Sequence, residues 1–136
     1  MTKLSLFFCC FLLLLSCNQT EKSKFNIEVS FNETASAENK DGRLLLMLSS
    51  DDSKEPRFQI GEGLSTQLIF GMNVDDMSAG ESIQFDESIF GYPYPSLEDV
   101  PPGEYNVQAL LHVYETFDLS TGHTVKLPMD NGEGQH

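Results

Sequence analysis

The longest clean alternation of hydrophobic and polar positions lies late in the chain, at 105–114. Tyr105, Val107, Ala109, Leu111 and Val113 fall on one face of an extended segment, and Asn106, Gln108, Leu110, His112 and Tyr114 on the other. The first face is expected in the core. The second is partly apolar and is expected to be half covered. Pro101 and Pro102 fix φ and donate nothing to a ladder, so the chain bends just before this strand, and Gly103 releases the bend. Tyr105 opens a strand just past a corner, where it either simply packs or acts like the tyrosine corner of Greek-key sandwiches.

The rest of the chain supplies neighbours for that strand. Phe25, Ile27, Val29 and Phe31 alternate with Asn26, Glu28 and Ser30, which predicts a half-buried strand. Asp41-Gly42 is a turn signal, and 43–48 is a nearly continuous apolar run, expected to be covered on both faces. Short strands are expected at 58–60, 67–74, 82–85 and 123–127, with acidic, glycine- or proline-bearing loops between them. Phe90, Tyr92 and Tyr94 sit in a proline-punctuated loop that either packs on its own domain or presents a platform for a sugar or partner. No window is convincingly helical. About seven short strands separated by turns predict an all-β, antiparallel, immunoglobulin-like β-sandwich spanning 25–136.

The first residues have another purpose. Lys3 supplies a positive start, 4–15 is almost wholly apolar, and Leu14-Leu15-Ser16-Cys17 closes the stretch. That is a secretory signal at 1–16, too short for a comfortable membrane span. Its end has the pattern of a bacterial lipobox: an aliphatic position, a small residue, then cysteine. The chemistry needs a thiol there, because the sulfur of Cys17 receives the diacylglycerol, and cleavage before it frees an amine for a further chain. Each buried methylene adds about 0.8 kcal/mol, and a single chain holds only marginally. Cys17 is therefore the expected lipidation site, and 18–24 a polar tether.

Cysteine use agrees. Of three cysteines, Cys9 and Cys10 leave with the signal, so Cys17 has no partner for an internal disulfide. The net charge of −13 becomes one unit more negative once Lys3 is lost. Such acidity disfavours nucleic acid and anionic lipid surfaces as partners.

Signals for catalysis are weak. The chain has no Gly-x-Ser-x-Gly elbow, phosphate loop or dinucleotide fingerprint. His112, His123 and Glu115 form a conceivable metal trio across the last hairpin, and Asp75, Asp76 and Glu81 a conceivable oxygen site. The first is better read as ordinary strand and loop side chains, and the second does not match a calcium loop. The expectation is no catalytic residue, no metal and no cofactor.

Several local motifs carry a resemblance. They are Glu55-Pro56-Arg57-Phe58-Gln59-Ile60, Phe90-Gly91-Tyr92-Pro93, the run at 97–114, Gly122-His123-Thr124-Val125-Lys126-Leu127-Pro128-Met129-Asp130 and Gly132-Glu133-Gly134-Gln135-His136. Together they resemble the N-terminal, non-catalytic β domain of bacterial secreted esterases of the enterochelin-esterase-like α/β-hydrolase group. The resemblance spans most of 43–136. It implies that a hydrolase domain follows in that family, whereas this sequence ends at His136, so it carries over no catalytic residue. The expected function is a membrane-anchored envelope lipoprotein with a non-catalytic binding or accessory domain. The alternative is a truncated or split leading part of an esterase whose catalytic domain lies elsewhere. The expected partners are the membrane, through the lipid anchor, and a protein or hydrolase domain.

Overall fold

A computed structural model describes residues 25–61 and 66–129. The expected signal at 1–16, Cys17, the expected tether at 18–24, and residues 62–65 and 130–136 lie outside the described residues. Among the described residues seven strands run in chain order: β1 Ile27–Val29, β2 Lys40–Ser49, β3 Leu68–Met77, β4 Ile83–Phe85, β5 Gly91–Tyr92, β6 Asn106–Asp118 and β7 Thr124–Pro128. They form two antiparallel sheets, a five-stranded one in the order β5-β3-β2-β6-β7 and a two-stranded one, β1-β4. The all-β, sandwich-like expectation holds.

β2 is central because both of its edges are paired. Leu44 stands between Met72 and Leu111, Leu46 between Phe70 and Ala109, and Leu48 between Leu68 and Val107. Leu44, Leu46, Leu48, Leu68, Phe70, Val74, Met77, Phe85 and Leu97 form the core, with Ile27, Val29 and Ile83 of the small sheet, and Phe31 just past β1, packed against it. On the other face Met47 is 1 % exposed. There a 3₁₀ turn, Pro56–Phe58, lies against β2 and β6. The apolar run at 43–48 is thus covered from both sides, although Arg43 and Leu45 are only half-buried.

Three sequence expectations change. Asp41-Gly42 does not turn but lies inside β2, at a register irregularity between Lys40 and Gly42. Glycine is needed there for closeness: a Cβ on Gly42 would come within 2.4 Å of the His112 carbonyl oxygen. The expected strand at 58–60 is replaced by the 3₁₀ turn, because Pro56 at its start presets φ and cannot enter a ladder. The aromatic loop contains a strand, β5, which pairs Gly91 with Phe70 and Tyr92 with Ile69.

The largest correction concerns β6. Its register is as expected, with Val107, Ala109, Leu111 and Val113 on the core side of the sheet. Its burial is not. Val107 is 53 % and Val113 42 % exposed, Ala109 is exposed, and only Leu111 and Tyr105 are partly buried against the core. The small sheet consists of two three-residue strands. It covers β2 and β3 and stops short of β6, which is 13 residues long.

Candidate functional site

Two surfaces could receive another molecule, one at the end of the sandwich and one over β6.

At the end, the proline corner is locked down locally. Ser96 Oγ accepts from the Glu98 N–H at 3.2 Å and caps the 3₁₀ turn Leu97–Asp99, which inserts Leu97 into the core. Tyr105 OH donates to the Pro101 carbonyl at 2.9 Å, four residues upstream, which is the tyrosine-corner contact the sequence suggested. Beside it opens a depression of about 480 Å³ bordered by Ser49, Gln59, Gln67, Phe58, Tyr94 and Tyr105. Its polar groups are largely engaged with one another. Ser49 Oγ donates to Gln59 Oε1, and Gln59 Nε2 donates to the carbonyls of Asp51 at 2.9 Å and Lys54 at 2.7 Å. Thr66 Oγ1 donates to Gln67 Oε1 at 2.7 Å. The Ser53 N–H and hydroxyl hold the Asp51 carboxyl below its usual pKa. Ser49 thus faces an amide, which takes up no proton, rather than an imidazole or carboxylate. The arrangement braces a loop and does not activate a nucleophile.

The conceivable metal trio is not assembled. His112 lies opposite Arg43 on β6, with its ring edge-on to Tyr114 at 6.4 Å between centroids. Glu115, an odd number of residues away, points to the other face of the strand. His123 lies in the hairpin loop, where its carbonyl accepts from the Leu119 N–H at 2.8 Å. The acidic trio is also dispersed. Asp75 pairs with Lys126 at 3.0 Å, Asp76 accepts from Asn39 at 3.0 Å, and Glu81 accepts from the Ser78 N–H at 2.9 Å. Among the described residues no group of three or more histidines, cysteines, aspartates or glutamates is placed to hold a metal ion. The aromatic loop splits: Phe90 is 71 % and Tyr92 47 % exposed, while Tyr94 packs against the core.

The second surface is the one that sequence reasoning missed. β6 continues beyond β2 and carries β7 as a hairpin, pairing Glu115 with Leu127 and Phe117 with Val125. The core-side row of β6 therefore runs on through Phe117, and Val125 and Leu127 stand beside it on β7. Phe117 is 38 % and Leu127 50 % exposed. The hairpin is held by Lys126, which reaches Asp41 at 2.9 Å and Asp75 at 3.0 Å. Both contacts raise the Lys126 pKa, Asp41 contributing more. The Asp41 carboxyl is held below its usual range, first by the Asp76 N–H donating to it at 2.8 Å and then by Lys126. Where the small sheet ends, a groove of about 300 Å³ opens between Val29–Phe31 on one side and Leu44, Ala109, Leu111 and Val113 below. A contiguous exposed apolar area of this kind marks an interaction surface more often than a scattered residue does. The signal in the sequence was the shortness of the alternating segments at 25–31 and 82–85 beside the length of the others: too little cover for the sheet beneath.

Comparison with protein-family models, curated proteins and solved structures finds no match to this chain.

Proposed function

We propose that this chain is an exported lipoprotein of the bacterial cell envelope, anchored through Cys17, whose sandwich serves as a non-catalytic binding or accessory domain. The anchor reading rests on Leu14-Leu15-Ser16-Cys17 after a short apolar run with a basic start. Asn18 rather than aspartate after the cysteine leans toward outer-membrane sorting, by analogy with Gram-negative lipoproteins. The observation that carries the binding reading is the uncovered apolar face of β6 and β7, on the core side of a sheet whose other half is buried.

The test is lipid attachment. Cells fed labelled palmitate should label the wild-type chain and leave Cys17→Ser unlabelled. Equal incorporation by the two would contradict the anchor.

A second reading is the leading β domain of an esterase, truncated or encoded apart from its hydrolase domain. It draws on the segment resemblance and on the same open face, which then becomes a domain interface. An in-frame continuation or an adjacent hydrolase gene would favour it.

A further inference from the structure

The geometry points to an extended strand of a basic partner polypeptide as the occupant of the groove over β6, added to the free edge of β1. This rests on the binding reading above and names the partner's chemistry. Among the described residues β1 is paired on one side only, by β4, which leaves its other backbone edge without a strand partner. An open strand edge is a template for another strand. Val29 and Ser30 lie at that edge, the Phe31 side chain lines the groove just past it, and the floor beneath is Ala109, Leu111 and Val113. A strand laid there would pair its backbone with β1 and turn every second side chain down onto β6.

Residues 18–24, 62–65 and 130–136, which lie outside the described residues, lack the alternating apolar positions a covering strand needs. Charge selects among outside partners. Lys40, the one charged residue among the described residues that line the groove, is paired with Glu38 at 3.3 Å, so the two offset each other. The unoffset charge around the groove is acidic: Glu33 on the loop that walls it, and Glu115, which follows Val113 along the strand of the floor. A second copy of this chain, with its net charge of −13, would meet this rim with like charge. A strand with lysine or arginine at its alternate positions would meet it with opposite charge.

The test uses the full chain in zwitterionic lipid nanodiscs and three synthetic peptides. One alternates valine with lysine, one alternates valine with glutamate, and one has the first composition with its valines and lysines segregated. The alternating basic peptide should bind in a fluorescence anisotropy titration, and amide exchange at 29–31 should slow. Val113→Asn, at a position 42 % exposed and so open to substitution, removes the apolar contact without adding charge and should weaken binding at least about tenfold. Val107→Asn, on the same strand but outside the groove, should leave it unchanged. The proposal is overturned if the acidic or segregated peptide binds as well, or if Val113→Asn has no effect. It is also overturned if sedimentation shows a dimer in which 29–31 is protected without peptide. Thiol labelling of Val113→Cys separates this from the underlying reading. Labelling slower in native membranes than on the purified chain keeps the binding reading even if the peptide fails. Equal labelling removes both.

Discussion

Phe70 and Phe117 face the same side of one five-stranded sheet, yet Phe70 is 0 % exposed and Phe117 38 %. Leu46 and Val107 repeat the contrast on adjacent strands, at 0 % and 53 %. The covered half, β2 and β3, lies beneath β1, β4 and the turn that inserts Leu97. The open half, β6 and β7, has the same alternation and, among the described residues, no second layer. A period of two decides which way a side chain points, and only a partner layer decides whether it is buried.

The largest effect should come from the covered half. Leu46→Ala removes a wholly buried side chain between Phe70 and Ala109, and should cost about 2–5 kcal/mol in urea melts. A domain stable by only about 5–15 kcal/mol would lose much of its margin. Leu111→Ala, which the strand pattern alone would rank equal, should cost less, because Leu111 is only half-buried.

Gln108→Ala comes next. The alternation places Gln108 on the polar face, where removal should be nearly free. In the structure its Nε2 donates to Glu55 Oε2 at 2.9 Å and its Oε1 accepts from the Arg57 N–H at 3.0 Å, fixing the 3₁₀ turn that covers Met47. Its loss should cost about 1 kcal/mol, readable in the same melts.

The ion pairs that hold the β7 hairpin should appear as a pH dependence. The Asp41 pKa is lowered in the folded chain, so its contribution is present above its ordinary 3.8 and is lost as pH falls through the folded value. The Lys126 pKa is raised, so its contribution is present below its ordinary 10.5 and is lost as pH rises through the folded value. Lys126→Ala should remove the alkaline loss and reduce the acid one. Hydrogen exchange of the β7 amides across pH checks both limits, and an unchanged profile in the variant would show that the hairpin is held by other contacts.

The smallest effect is expected on the open face. Val107→Thr should change stability by no more than about 0.5 kcal/mol, since Val107 is more than half exposed.

These contrasts show which parts of the fold were legible. The faces of β6 and the corner at Tyr105 came directly from spacing and proline position. Phe58-Gln59-Ile60 misled because three alternating residues outweighed Pro56, which starts a tight turn. Asp41-Gly42 misled because the missing Cβ that permits a turn also permits the close approach of β6. The open face was illegible in the alternation of β6 itself, because its residues are of core type. It follows from the length of strands elsewhere in the chain. The expected catalytic and metal assignments named no residue, and the expected anchor, Cys17, lies outside the described residues.

The most direct measurement is methyl NMR of the purified chain with a soluble paramagnetic agent. An uncovered β6–β7 face predicts strong broadening of the Val107, Val113 and Leu127 methyls, with those of Leu44, Leu46 and Leu48 spared. Equal protection of both sets would contradict the open face, and with it the binding role built on that face.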